Sequence, residues 1–272
     1  MKRPDPTRRF SDRVANYVRY RPGYPEALLA TLVSEAGLGP ELGSGSAVAD
    51  VGSGTGISTE LLLRAGGEVY AVEPNAEMRA AAEARLGGEP RFHSVAGTAE
   101  ATTLPSASVD LVAAGQAFHW FDVERTRAEL ARILRDTPAG RAQVALFWNS
   151  RRTDASSFLR AYEELLQRFG TDYAEVDHTK IGADTLERFF GERYEKLVFL
   201  SHQDFDSEGL QGRLLSSSYA PGPGHPDHEP MLAALRRIFD QHQEEGRVRF
   251  VYDTKLYLGR LHGRPIDRRS RP

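Results

Sequence analysis

Apolar and polar positions along this chain fall into two periods. Phe10, Val14 and Val18 lie four residues apart, which predicts a helix over 10–20 that the stretch Arg21-Pro22-Gly23-Tyr24-Pro25 must break. Leu28, Leu29, Leu32 and Val33 mark a second helix, and a glycine-rich loop covers 37–46. Short apolar strands are then predicted over 47–51, 68–72, 92–96, 109–114 and 143–148, with helices over 59–65, 76–86 and 123–134 between them. Gly66 and Gly67 stop the first of these helices; Asn75 can cap the second, which ends at Gly87 and Gly88. Strands alternating with helices at this spacing imply a parallel sheet covered on both faces, and right-handed crossovers make it doubly wound.

The pattern is looser beyond 150. Phe158, Tyr162, Leu165, Leu166 and Phe169 define an amphipathic helix closed by Gly170. Strands are expected over 197–200 and 248–258, with helices over 208–216 and 231–245 joined by a turn-rich segment, 220–229. These last strands are assigned to the sheet edge rather than to a separate domain. The expected organisation is one domain over 10–260, with N-terminal helices over 10–40, a ligand-binding core over 47–150, and a sheet edge and cap over 151–260. The segments 1–9 and 261–272 are rich in Pro and Arg and poor in apolar residues, and are expected to be flexible tails.

Composition narrows the function classes. With 40% hydrophobic and 27% charged residues in 272, the chain reads as a folded soluble protein. A net charge of −3 gives no global positive field to gather nucleic acid or an acidic membrane. There is no cysteine, which removes disulfides, thiolate nucleophiles and zinc–thiolate sites together. No apolar run approaches the roughly 20 residues of a membrane span, and the first ten residues lack a signal-like stretch, so the cytoplasm is the expected location. His225-Pro226-Asp227-His228 brings no third ligand from its own element, so it reads as a solvated loop and no metal is expected.

The sharpest chemical signal is Asp50-Val51-Gly52-Ser53-Gly54-Thr55-Gly56, set between a strand and a helix, where glycines let a ligand approach the backbone. About 20 residues on, Glu73 closes the second strand and can reach the ribose hydroxyls of an adenosine ligand. No Lys-Ser or Lys-Thr pair follows Gly56, which disfavours a nucleotide-phosphate loop, and Ile57 stands where a dinucleotide fingerprint needs a small residue.

These residues resemble the first two motifs of the Rossmann-like S-adenosylmethionine-dependent methyltransferases. Arg21-Pro22-Gly23-Tyr24-Pro25, Val72-Glu73-Pro74-Asn75 with Met78, and Gln116-Ala117-Phe118-His119-Trp120-Phe121 resemble most the branch holding trans-aconitate methyltransferase and its small-molecule relatives. The resemblance implies a mostly parallel seven-stranded sheet with an antiparallel edge strand and helical cap elements. It implies S-adenosylmethionine as cofactor, S-adenosylhomocysteine as product, and methyl transfer to a small molecule, a carboxylic acid being one candidate class. An acceptor in RNA or protein, or a module that binds the cofactor without turnover, are the alternatives.

Residue by residue, Gly52, Ser53 and Gly54 are expected at the cofactor's amino-acid end, with Glu73, Pro74 and Met78 at the ribose. Asp50 either favours the ligand's positive end, directly or through water, or satisfies loop amides. The segment Tyr20-Arg21-Pro22 is expected to fold over the cofactor, Arg21 pairing with its carboxylate as a fork. Thr98-Ala99-Glu100 is expected beside adenine. Thr98 stands where aspartate is common in the family, so either Thr98 accepts more weakly or Glu100 takes over. The segment 116–120 is expected to face the methyl group, Gln116 and Phe118 bordering the cofactor and His119 and Trp120 shaping the acceptor pocket. His119 is the best-placed titratable candidate for a base.

Overall fold

All five residues of β1 (Ala47–Val51) are buried, as expected of a strand covered on both faces. In the computed structural model, which describes residues 14–35, 46–135, 143–173, 182–191 and 194–261, β1 lies between β2 (Glu68–Val72) and β4 (Leu111–Gly115), parallel to both. Outside these, β3 (Phe92–Val95) pairs parallel with β2, and β5 (Gln143–Arg151) parallel with β4. The sheet is completed by β6 (Tyr194–Phe205) and β7 (Val248–Gly259), and its seven strands run in the order β3-β2-β1-β4-β5-β7-β6. β7 is antiparallel to both β5 and β6. The late strands therefore extend the sheet, as the sequence pattern indicated.

Successive side chains of the central strands enter opposite cores. Ala49, Val51, Val112, Ala114 and Leu146 join one apolar cluster, whereas Val48, Leu111, Ala113, Ala145 and Phe147 join the other. The helices are α1 (Val14–Tyr20), α2 (Glu26–Glu35), α3 (Ile57–Arg64), α4 (Ala76–Leu86), α5 (Val123–Ile133), α6 (Ser157–Phe169), α7 (Ala183–Phe190), α8 (Ser207–Leu215) and α9 (His228–His242). Asn75 caps α4 by accepting from the Met78 amide at 2.9 Å. A third core, containing Tyr162, Leu210, Met231 and Phe250, joins α6, α8 and α9 to β7 and builds a cap.

Three departures from the periodicity have physical causes. β4 begins at Leu111 rather than 109, because the amides of Ser108 and Val109 donate to the Ile133 carbonyl instead of a strand neighbour. β6 spans 12 residues although its apolar run is short, since pairing with β7 along its whole length supports its polar positions. α7 has only eight residues, with Leu186, Phe189 and Phe190 buried, too short for a periodic signal. Phe10, the loop over 37–45 and both tail segments lie outside the described residues. Among the described residues, no helix is long and apolar enough to cross a membrane.

Candidate active site

The loop after β1 is built by three left-handed glycines, Gly52 (φ 72°), Gly54 (φ 58°) and Gly56 (φ 84°). A Cβ on Gly52 would lie 2.5 Å from the Ala117 Cβ, so this glycine lets the loops after β1 and β4 touch. A Cβ on Gly56 would meet Leu86 at 2.8 Å, where the start of α3 packs on α4. The amides of Gly52 and Ser53 both donate to the Val72 carbonyl, at 2.8 and 3.2 Å. The turn is thereby laced to the end of β2.

Glu73 sits at that end, 7% exposed. Its Oε2 accepts from the Gly54 amide at 2.9 Å and its Oε1 from the Asn75 amide at 2.8 Å. Burial raises its pKa above the ordinary value, while those two amides and Arg79 pull the other way. Each carboxylate oxygen keeps a further acceptor site, and Glu73 lines the cavity described below.

Asp50 is fully buried beneath the loop. Its Oδ2 accepts from the hydroxyls of Ser58 and Thr59, at 2.8 and 2.6 Å. Its Oδ1 has no hydrogen-bond partner. Burial pushes its pKa up to about 6, against the lowering effect of the two hydroxyls. The acid thus engages the first turn of α3, not loop amides.

The end of β4 carries a strained turn. Gln116 is left-handed at φ 59°, an unusual conformation for a non-glycine residue, and its side-chain amide donates to the Asn149 carbonyl at 3.3 Å. A short 3-10 turn, Phe118–Trp120, follows, with the His119 and Trp120 rings 4.8 Å apart. Thr98 and Ala101 exchange backbone hydrogen bonds at 3.1 and 3.2 Å, so Ala99 and Glu100 form the tip of a tight turn. Glu100 Oε1 accepts from the Asp122 amide at 2.9 Å.

The segment after α1 crosses over these strand ends. Asn149 Nδ2 donates to the Gly23 carbonyl at 2.9 Å, and the Tyr24 ring meets Phe147 edge-on at 4.7 Å. Arg21 lies against the Tyr17 ring at 4.9 Å and donates to the Ser216 carbonyl at 3.0 Å.

Together these elements enclose a cavity of about 920 Å³ at the carboxyl ends of β1, β2, β4 and β5, beside the β1–β4 junction where the strand order reverses. Of the residues predicted from sequence, Arg21, Gly52, Ser53, Gly54, Glu73, Pro74, Met78, Thr98, Ala99, Glu100, Gln116, His119 and Trp120 line it. Three do not. Tyr20 turns away to pack on Gly212 of α8, Asp50 lies under the loop, and Phe118 is a core residue stacked edge-on against Phe189 at 4.7 Å. Sequence reasoning missed Tyr24, Asn149, Arg151, Glu163, Tyr173 and Arg213, all in the cavity wall. Asn149 and Arg151 were discoverable, because they stand at the end of a central strand. Arg213 comes from the cap and carries no motif.

The cradle suits an adenosyl amino acid better than a phosphate. It offers the buried hydroxyls of Ser53 and Thr55, both without a hydrogen-bond partner, a glycine turn with no room for a Cβ at Gly52 or Gly56, and a carboxylate at the end of the second strand. Fold and site define a Rossmann-like domain built for a nucleoside-bearing ligand.

Relatives narrow the class. The methyltransferase domain family matches residues 49–139. An uncharacterized methyltransferase of Mycobacterium tuberculosis is 36% identical over 168 residues, 62% of this chain and 63% of that protein. One from Geobacillus sp. is 29% identical over 184 residues, covering 66% of this chain and 80% of its own. The structure of a protein from Anaeromyxobacter dehalogenans, described as a type II methyltransferase, superposes with a TM-score of 0.64 at 26% identity, over 89% of this chain and 98% of that one. Residues 49–139 carry a methyltransferase domain, and the chain is similar in sequence to these methyltransferases and shares the Rossmann-like fold of the S-adenosylmethionine-dependent ones. It spans less than two thirds of the length of the mycobacterial relatives, at 63%.

Proposed function

We propose that this protein transfers a methyl group from S-adenosylmethionine to a small organic molecule in the cytoplasm, with carboxylic acids the first class to assay. The trans-aconitate branch, suggested by the motifs around Arg21, Glu73 and Gln116, supports that choice. The observation that carries the reading is Glu73, a buried carboxylate that closes β2 and clamps the glycine turn while facing the cavity.

S-adenosylmethionine, when bound, supplies a methyl group on a positively charged sulfur. Glu73 accepts from the ribose hydroxyls through charge-assisted hydrogen bonds. Pro74 and Met78 flank the sugar, and the Thr98–Ala101 turn takes the adenine. Because Glu100 Oε1 is held by the Asp122 amide, the Ala99 backbone and the Thr98 hydroxyl make the nearest ring contacts. Gly52, Ser53 and Gly54 receive the amino-acid end, and Arg21 pairs with its carboxylate. Asp50 acts from below the loop, its negative field favouring the ligand's cationic end.

Gln116 borders the reacting methyl, and His119 and Trp120 form the acceptor wall, the Trp120 ring excluding water. Phe118 supports them from the core. A carboxylate acceptor arrives ionised and needs no base; for a hydroxyl or amine acceptor, His119 takes the proton. The protein's main contribution is alignment of the acceptor behind the methyl in a closed site. A cavity of about 920 Å³, walled partly by the cap, lies within the usual range for small-molecule sites.

The test has two stages. S-adenosylhomocysteine should raise the melting temperature and NAD should not; at a hundredfold excess over Kd, one site gives about 2.7 kcal/mol. A panel of small acids is then assayed for S-adenosylhomocysteine release. Absence of any shift with S-adenosylmethionine or its product defeats the reading, and binding without turnover on any acceptor class leaves a cofactor-binding module in its place.

A further inference from the structure

Three arginines from three separate parts of the fold meet in the cap half of the cavity. Arg21 follows α1, Arg151 ends β5, and Arg213 lies on α8. Arg151 is neutralised by Glu163 of α6, and Tyr173 donates to the same carboxylate at 2.9 and 2.7 Å. Arg213 is different. It is 5% exposed, and its hydrogen bonds run to neutral hydroxyls, those of Ser216 and Ser217 at 3.5 and 3.2 Å and that of Tyr252. Among the described residues, no carboxylate forms an ion pair with Arg213 or Arg21. The Nε atoms of all three guanidiniums are buried without a hydrogen-bond partner.

An arginine cannot shed its charge in a protein, and an uncompensated buried cation is costly. Arg21 is assigned above to the cofactor's carboxylate, which leaves Arg213 as excess positive charge facing the cavity. The surroundings register this excess. Burial alone would raise the Tyr219 phenol, yet Arg151, Arg213 and Arg21 outweigh burial and bring it below its ordinary value. Tyr219 therefore feels a field that favours an anion at this point.

We propose that Arg213, aided by Arg151 and Tyr219, forms an oxyanion subsite that anchors a carboxylate or phosphate group of the methyl acceptor; the assignment to the acceptor rests on the methyltransferase reading. The guanidinium fork matches both groups, and the two-point contact fixes the acceptor's orientation in the cavity. Arg213 is then a specificity-determining residue, remote in sequence from every motif of the family. Neutral analogues of the same shape leave its charge unpaired, which is the basis of discrimination.

The subsite is tested by calorimetry on the full chain loaded with S-adenosylhomocysteine. Matched probes are benzoate against benzamide, succinate against succinamide, and phenyl phosphate against phenol; comparing the first two pairs with the third distinguishes carboxylate from phosphate recognition. At least one anion should bind about tenfold or more tightly than its neutral partner. Arg213→Gln should abolish that preference with S-adenosylhomocysteine affinity retained, and Arg213→Lys should restore part of it. Equal binding of every pair, no anion binding at all, or an unchanged preference in folded Arg213→Gln would overturn the proposal. If that variant does not fold, crystals of the wild-type protein soaked with the preferred anion decide, since density away from Arg213 refutes the subsite. Failure of S-adenosylhomocysteine to bind defeats the methyltransferase reading instead; the anion titration, run without it, still tests the subsite.

Discussion

The Gly54 amide donates to Glu73 Oε2 at 2.9 Å, so the acid that closes the second strand also holds the shape of the turn after the first. Two elements that sequence motifs treat as separate are one unit. Substituting Glu73 removes a ligand acceptor and also frees two backbone amides, the part-buried one of Gly54 and the buried one of Asn75.

Glu73→Ala and Glu73→Gln should both weaken S-adenosylhomocysteine binding. Gln keeps the size, but its amide nitrogen must face one of the two backbone donors, so it rescues little. The loss should be about 1.5–3 kcal/mol, the usual range for hydrogen bonds to a charged group. Calorimetric titration measures it. Wild-type affinity in either folded variant would remove Glu73 from the site.

Asp50 gives a pH-dependent stability signature. Its ordinary pKa of 3.8 is pushed up to about 6 in the fold by burial. The folded protein thus holds this proton more tightly than the unfolded chain. The group favours folding below 3.8, and that contribution is lost as pH rises through about 6. The loss amounts to at most about 3 kcal/mol. Asp50→Asn should therefore be at least as stable as wild type at neutral pH and flatten the dependence across that interval. It should also bind S-adenosylhomocysteine more weakly, having lost the negative charge under the loop. Urea titrations on either side of the interval check this; the same slope in both proteins would contradict it.

The legibility of this chain follows from which residues carry local signals. Central strands such as Ala47–Val51 and Glu68–Val72 matched their predicted bounds because buried parallel strands are continuous apolar runs. Asn75 announced α4 through its capping chemistry. Gly52, Gly54 and Glu73 stood out because turn geometry restricts the residue types allowed there. Phe118 was misplaced because an aromatic next to a ligand segment reads the same whether it faces the cavity or the core. Arg213 was invisible because its meaning is tertiary: it exists only once α8 is folded over the cavity.

Gly52→Ala separates steric from entropic effects. The new Cβ would lie 2.5 Å from Ala117, and the left-handed φ of 72° adds strain of about 1–2 kcal/mol. Gly23→Ala serves as control, since nothing lies within 4 Å of its Cβ position. The first variant should be clearly destabilised and the second close to wild type in thermal unfolding. Comparable melting temperatures for the two would show that the loops after β1 and β4 do not depend on close approach.

Asn149 ties the Arg21–Pro25 stretch to the sheet. Its Nδ2 donates to the Gly23 carbonyl at 2.9 Å, and its Oδ1 accepts from the Thr254 hydroxyl of β7 at 2.6 Å. Thr254 orients the amide, the amide holds the backbone of the crossing segment, and that segment carries Arg21 over the cavity. Asn149→Ala breaks both bonds and leaves the buried Thr254 hydroxyl with only the Ser201 hydroxyl as partner, at 3.2 Å, costing about 1–3 kcal/mol of stability. It should also weaken S-adenosylhomocysteine binding, because Arg21 is no longer pre-positioned and its ordering must be driven by the ligand. Thr254→Val tests the chain of contacts without touching the cavity wall, as Thr254 is fully buried and does not line it. Its effect on affinity should have the same sign and a smaller size. If Thr254→Val leaves affinity unchanged while Asn149→Ala lowers it, Asn149 acts by direct contact with the ligand rather than by positioning Arg21.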